Sequence, residues 1–370
     1  MSSNFGNPDV SKDISSDLAW VDMLKGIAII GVFWDNWMGY MRFVTTPGWL
    51  YSLVKTAVGP FVQVFLILSG FGLTIAYFKQ QEEKNWSWKR WVWRRVTKIV
   101  IPYEIAVILS FILGLAGAFL YASVDVQFSL VSLVANLTFL RNFYSPSWIW
   151  NPPLWFMPVI IGLYVSFPFL LKILTRFGPW VLMTVSILVS YGALALAYLT
   201  GLYEGHAGDI FTFWVAQFSL GMVLAHTRRA APRRLSCLIG YKAFFLGLVL
   251  IMCSWGLITY IPSGKIFNDS ITSLGFFLLL LNLVWASRAK VPMTGKVLGA
   301  LSTQSYFMYL IHYPIMKFLI GPLLRPPVNQ AIIVVLGCIY IAVIFILSRF
   351  FSRPVNRVAI WSYNLYCSSL

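Results

Sequence analysis

The stretch AIIVVLGCIYIAVIFILS at residues 331–348 contains no charged side chain and is long enough to cross a lipid bilayer as a helix. Similar apolar runs recur along the chain, of which 59% is hydrophobic and only 11% is charged. An ordinary soluble domain has roughly 25% charged residues, so this composition cannot supply a soluble surface. The sequence therefore predicts an all-α, polytopic integral membrane protein.

Apolar runs of about 20 residues are candidate membrane spans, and ten can be placed on this chain. They lie near residues 24–41, 52–78, 99–121, 154–174, 180–200, 210–227, 241–261, 270–287, 297–320 and 330–349. The 125–142 stretch is either an interfacial or re-entrant helix or part of a long outer loop. We expect a single bundle over residues 1–370, with a polar segment at 1–22 and a tail at 350–370.

Lysine and arginine are distributed unevenly between the two sides of this predicted bundle. With a cytoplasmic N-terminus and ten spans, 22 of the 28 basic residues lie on the inner side and the other six on the outer side. Cytoplasmic loops of membrane proteins carry such an excess of positive charge. We therefore predict that both termini, including the 1–22 segment and the 350–370 tail, are cytoplasmic.

The net charge of +16 would suggest a nucleic-acid partner in a soluble protein. Here the basic residues stand in short loops between apolar runs, so we expect a lipid bilayer as partner and no nucleic acid. The four cysteines have no CxxC spacing, and the chain has no HExxH motif and no P-loop. We therefore predict no metal site.

The first predicted span carries polar residues where lipid would disfavour them. Lys25 and Asn36 are eleven residues apart, which is almost three helical turns, so both lie on one face about 16 Å apart along the axis. Asp35 adds a carboxylate near Asn36. In one interpretation Lys25 extends to the interface while Asp35 and Asn36 cap the span or bond a neighbouring helix. In the other, the three residues mark a polar track through the bundle.

A basic cluster opens the third span in the sequence RRVTKIVIPYE. Arg94, Arg95 and Lys98 have spacings of three and four residues, which bring Lys98 to the face of the two arginines. Such a cluster is suited to the phosphates of a cytoplasmic donor. The excess of positive charge on cytoplasmic loops explains the same cluster equally well.

His312 stands inside an apolar span, in the sequence SYFMYLIHYPI, with Tyr309 on the same helical face and Tyr306 one turn earlier. An imidazole at that depth needs a hydrogen-bonding partner, and it can exchange a proton near neutral pH. A proton-transfer role and a buried structural hydrogen bond both remain open.

The order of these motifs resembles the membrane acyltransferase 3 family. The resemblance covers most of the chain and rests on six blocks, which are DMLKGIAIIGVFWDNW, VFLILSGFGLTIAY, WRRVTKIVIPY, NPPLWFMPVIIGLYVSFP, FSLGMVLAH and SYFMYLIHYPI. Four features depart from the family pattern. Lys98 stands at the third arginine of the basic block, and residues 158–163 lack the carboxylate that many members carry after the Pro-Leu-Trp block. Lys25 stands where the family has arginine, and Asn36 stands where the family has the histidine regarded as the catalytic base.

The resemblance implies transfer of an acyl group, usually acetyl, from cytoplasmic acyl-CoA to a glycan or lipid-linked sugar outside a bacterial inner membrane. Lys25 and the basic cluster (Arg94, Arg95 and Lys98) would bind the donor. Trp155, Tyr306 and Tyr309 would contact the substrate.

Since Asn36 cannot act as a base, we expect His312 or Asp35 to take the acceptor's proton, and we favour His312. Asn36 would orient the acceptor or stabilise the oxyanion. The alternative function is a non-catalytic relative that binds or translocates a glycan or lipid-linked substrate.

Overall fold

The computed structural model describes residues 18–41, 60–82, 87–120, 129–144, 151–201, 210–260, 265–288, 292–324 and 329–368. Within these ranges every regular element is helical, which confirms the all-α prediction. The predicted polar segment at 1–22 lies largely outside the described residues.

Eleven α-helices are described. They are α1 (Ala19–Met41), α2 (Phe61–Gln81), α3 (Trp88–Leu120), α4 (Leu130–Leu137), α5 (Phe156–Phe177), α6 (Pro179–Leu199), α7 (Val215–Ala230), α8 (Tyr241–Tyr260), α9 (Lys265–Arg288), α10 (Pro292–Ile315) and α11 (Gln330–Ser368). Short 3-10 helices precede α5, α7 and α8, and a π-helical turn (Met316–Ile320) follows α10.

Each of the ten predicted spans overlaps one long helix, from α1 to α3 and from α5 to α11. Among the described residues, six helices are long and apolar enough to cross a membrane by themselves, and a seventh span arises if α8 is joined to the 3-10 helix before it, across a bend of 57°. The protein is therefore a multi-pass membrane protein. Helix α1 is less apolar because it contains Lys25, Asp35 and Asn36, and α7 has only 16 residues.

Helix α1 lies at the centre of the bundle and packs against α2 and α10, with α9 and α11 nearby. Helices α2 and α7 form another close pair. A Cβ atom on Gly70 would overlap the backbone of Phe218, and one on Gly221 would overlap the backbone of Ile67. Small residues allow such close contact of membrane helices, so the backbones of α2 and α7 pack directly against each other.

The structure adds detail to two predicted segments. In the 125–142 stretch the structure describes one short helix, α4, which Ser129 caps by accepting a hydrogen bond from the Ser132 amide. The last predicted span does not stop at residue 349, because α11 runs on as one helix of 39 residues through most of the predicted tail. At 1.5 Å per residue this helix is about 58 Å long, well beyond the ~30 Å of a hydrocarbon core.

Candidate active site between the central helices

Two adjoining cavities lie among α1, α2, α5 and α10. The first, which we name the lysine cavity, has a volume of about 240 Å³ and is lined by Lys25, Ser69, Tyr164, Ser302 and Tyr306 together with apolar side chains. Its wall also includes Ile99, the residue that follows Lys98. One cation therefore faces an otherwise largely apolar chamber.

The second cavity, which we name the asparagine cavity, has a volume of about 110 Å³. Its polar lining consists of Asp35, Asn36 and Gln63, and its aromatic lining includes Trp155 and Trp214. The two indole rings lie 5.8 Å apart between centroids. Aromatic faces beside carboxylate and amide groups suit a ligand that has both C–H faces and hydroxyl groups.

The two cavities share four lining residues, Val32, Val62, Phe156 and Tyr309. Lys25 lines one cavity and Asn36 the other, with Val32 common to both, which is the arrangement that their eleven-residue spacing predicts on one face of α1. Lys25 and Asn36 therefore line adjoining chambers along α1, with the apolar Val32 between them.

Asp35 and Asn36 both reach the asparagine cavity. The sequence alone left open that Asp35 faces a neighbouring helix, because consecutive helical residues point about 100° apart. The structure shows that both residues line the cavity. The Asn36 amide nitrogen donates to the Val32 carbonyl at 2.8 Å, so in this orientation the amide oxygen remains as a hydrogen-bond acceptor.

The segment Asn151–Trp155 forms one wall of the asparagine cavity and is held by hydrogen bonds. The Asn151 amide donates to the Leu310 carbonyl at 3.3 Å and to the Ser110 hydroxyl at 3.2 Å. Leu310 can accept because Pro314, four residues later, has no N–H to offer its carbonyl. The proline in α10 thus helps to place Trp155.

Arg141 is a second support for this segment, and sequence reasoning missed it. Its side chain is fully buried, and it donates to the Asn136 side chain at 2.8 Å and to the Asn151 carbonyl at 2.9 Å. In the sequence, Arg141 is one of the six basic residues that the predicted topology assigns to the outer side. A single arginine in a segment rich in aromatic residues was the signal that could have identified it.

The two tyrosines predicted to contact substrate line the cavities. Tyr306 faces the lysine cavity and donates to the Ile99 carbonyl at 2.6 Å. Tyr309 lines both cavities and donates to the Pro153 carbonyl. Both rings are therefore fixed by backbone acceptors and serve as walls.

His312 lies apart from the two cavities. Its ring is fully buried, stacks on Phe33 at 4.7 Å and forms a hydrogen bond through Nδ1 with the Tyr309 carbonyl at 2.7 Å. The Tyr340 hydroxyl donates to the His312 carbonyl. As the favoured base, this ring would have to face the same chamber as Asn36. It packs instead among Phe33 of α1, Tyr309 of its own helix and Tyr340 of α11.

The basic cluster lies beside the lysine cavity, and none of its three side chains belongs to the described lining of that cavity. The Arg94 guanidinium lies 5.6 Å from the Tyr363 ring of α11. Arg95 lies over Trp91 at 5.6 Å and close enough to Tyr164 for a Coulombic interaction, and Tyr164 lines the lysine cavity. Lys98 is exposed. Arg95 is therefore the member best placed toward the chamber.

Sequence reasoning also missed Gln63 and Trp214 in the asparagine cavity. Gln63 is a single amide in the apolar run of α2, and Trp214 ends a 3-10 helix before α7. Buried polar groups in apolar spans are a signal that could have marked Gln63. Among the described residues, no group of three or more histidine, cysteine or acidic side chains comes together as a metal site would require.

Comparison with known proteins adds one finding. The chain matches the model of the acyltransferase 3 family, described as an acyltransferase domain, over residues 18–349. No protein of curated function and no solved structure matches the chain significantly. The matched region includes every helix that lines the two cavities. As the six sequence blocks predict, the chain belongs to the acyltransferase 3 family.

Proposed function

We propose that this protein transfers an acyl group, acetyl in the simplest case, from cytoplasmic acyl-CoA to a hydroxyl of a glycan or lipid-linked sugar on the other side of a bacterial inner membrane. One observation carries the proposal. Two cavities adjoin along α1, with a cation in one and a carboxylate and two amides in the other. A donor and an acceptor that approach from opposite sides would meet between them.

The lysine cavity is the donor side of this proposal. Lys25 and the nearby Arg95 supply positive charge that can bind the phosphate groups of the donor. Arg94 and Lys98 add further positive charge beside the lysine cavity. The apolar walls suit the uncharged thioester end of the donor. The Tyr306 and Ser302 hydroxyl groups also line this chamber; they donate to the Ile99 carbonyl and to the Asp22 carboxylate, so their oxygens remain as hydrogen-bond acceptors for the donor.

The asparagine cavity is the acceptor side. We assign Asp35 as the general base, since its carboxylate lines this cavity and His312 lines neither cavity. The acceptor oxygen attacks the thioester carbonyl carbon, a C–O bond forms and the C–S bond breaks. The hydroxyl proton passes to Asp35 and then to the departing thiolate, so the products are an ester and free CoA. Trp155 and Asn36 hold the acceptor.

The direct test uses purified protein in liposomes, with labelled acetyl-CoA inside and a soluble glycan acceptor outside. We expect the label to appear in an ester on the external glycan. Base treatment should release it, because esters hydrolyse in base. Labelled glycan that forms only in liposomes with protein, and with acetyl-CoA on the inner side, supports the proposal.

A second candidate function is binding or translocation of a glycan or lipid-linked substrate without acyl transfer. Asn36 at the family's histidine position favours it, because an amide cannot take a proton. In the same liposomes this candidate predicts glycan binding, or appearance of unlabelled glycan on the opposite side, with no ester formed. That result would refute the acyltransferase proposal.

The proposed direction of transfer needs ten spans with both termini in the cytoplasm. One contact bears on which side of the membrane the C-terminus lies. The Trp93 ring near the start of α3 stacks on Tyr366 near the end of α11, 4.7 Å apart. The start of α3 and the end of α11 are therefore on the same side of the bundle, as they are in the ten-span topology.

We predict the location of reporter fusions from this topology. Fusions after Arg234 and at the C-terminus should report the cytoplasm, and a fusion after Gly201 should report the outer side. The reason is the positive charge that each inner loop would carry. An outer location for the Arg234 fusion would contradict the ten-span arrangement, because Arg228, Arg229, Arg233 and Arg234 would then face outward.

A further inference from the structure

The four residues shared by the two cavities form a partition between them. Val32 of α1, Val62 of α2 and Phe156 of α5 are apolar, and Tyr309 of α10 contributes an aromatic ring. Four different helices thus meet where the lysine cavity ends and the asparagine cavity begins. Any group that passes from the one to the other has to pass these side chains.

Helix packing fixes the positions of the two valines in the partition. A Cβ atom on Gly31 would overlap the ring of Phe61, so this ring packs directly on the α1 backbone and holds the first residues of α2 against it. Val32 and Val62 are the next residues along the two helices. Because β-branched side chains have few rotamers, these valines present a wall of nearly constant size.

The two aromatic residues of the partition, Phe156 and Tyr309, are also held in place by their contacts. The Phe156 and Tyr309 rings pack edge to face at 5.8 Å. The Tyr309 hydroxyl donates to the carbonyl of Pro153, in the segment that Asn151 and Arg141 anchor. Since packed side chains resist volume changes of even one methylene, the opening between the valines and these rings should admit groups only up to a definite size.

Building on the proposed acyl transfer, we propose that this partition selects the acyl group of the donor by its size. The thioester end of the donor reaches the partition from the lysine cavity, with its acyl chain between Val32, Val62 and Phe156. The acceptor oxygen attacks from the asparagine cavity and forms the ester bond while the C–S bond breaks. A chain too long for the partition cannot bring its carbonyl carbon to the acceptor.

The test replaces Val62 by Ala, Leu and Thr and measures initial rates with acetyl-, butyryl- and hexanoyl-CoA in competition. An additional methylene in a fitted apolar pocket changes the specificity ratio by about tenfold or more. We expect Val62→Ala to raise the butyryl-to-acetyl ratio about tenfold and Val62→Leu to lower it. Val62→Thr keeps the shape of the side chain and should keep the ratio.

A matched control is Val165→Ala on α5, which removes the same two methyl groups from a side chain that is 68% exposed. This variant should leave the ratio unchanged. The filter is refuted if the wild type transfers acetyl but neither Val62→Ala nor Val62→Leu alters the ratio, or if Val165→Ala alters it equally. A wild type that transfers no acyl group overturns the proposed function itself, and the filter with it.

Discussion

Replacement of Asp35 by Asn should lower the rate of acyl transfer by ~10²–10⁴-fold, the usual effect of losing a general base. The carboxylate lines the asparagine cavity, and the amide that replaces it has nearly the same shape but cannot take a proton. Donor binding should be retained, because the basic cluster and Lys25 lie toward the other cavity. Initial rates in liposomes and calorimetry with acetyl-CoA in detergent measure the two quantities separately.

The neighbouring residue offers a rescue for this variant. Adding Asn36→His to Asp35→Asn restores a titratable group in the same cavity, at the position where the family has its histidine. We expect the double variant to recover part of the lost rate. Recovery would be difficult to explain if Asp35 only supported the fold.

His312 provides the competing assignment. Its ring is enclosed between Phe33 and Tyr309, so we expect His312→Ala to change stability, measured by thermal unfolding, more than the chemical step. If His312→Ala abolishes acyl transfer although the protein remains folded, and Asp35→Asn remains active, then His312 rather than Asp35 is the general base.

The sequence predicted the parts of this architecture that depend on one helix at a time. Continuous apolar runs located the long helices, and helical periodicity placed Lys25 and Asn36 on one face of α1. Six short blocks were sufficient to predict the family. Each of these inferences uses the spacing of residues along a single helix, which follows directly from their order in the sequence.

The parts that were missed depend on how separate helices turn toward each other. Nothing in the spacing of SYFMYLIHYPI indicates that His312 stacks on Phe33 rather than facing Asn36, since this depends on the rotation of α10 against α1. Gln63 and Trp214 come from segments whose contact with α1 no periodicity encodes. The role of Arg141 depends on a hydrogen-bond acceptor ten residues away, the Asn151 carbonyl.

The basic cluster at the start of α3 can be judged by its effect on donor affinity. Replacing Arg94, Arg95 and Lys98 together by Gln should weaken acyl-CoA binding by about three orders of magnitude, because each hydrogen bond to a charged group contributes roughly 1.5–3 kcal/mol. Calorimetry in detergent measures this change, and thermal unfolding verifies that the protein remains folded.

A matched triple variant separates donor binding from general positive charge. Arg233, Arg234 and Lys242 are exposed, like Lys98, and the predicted topology places them on the same side as the α3 cluster. Their replacement by Gln removes an equal charge and should leave acyl-CoA binding nearly unchanged. If both triple variants lose acyl-CoA affinity equally, the α3 cluster serves membrane topology alone and does not bind the donor. Among the single variants, Arg95→Gln should have the largest effect, since Arg95 approaches Tyr164 in the lysine cavity whereas Arg94 turns toward Tyr363 of α11.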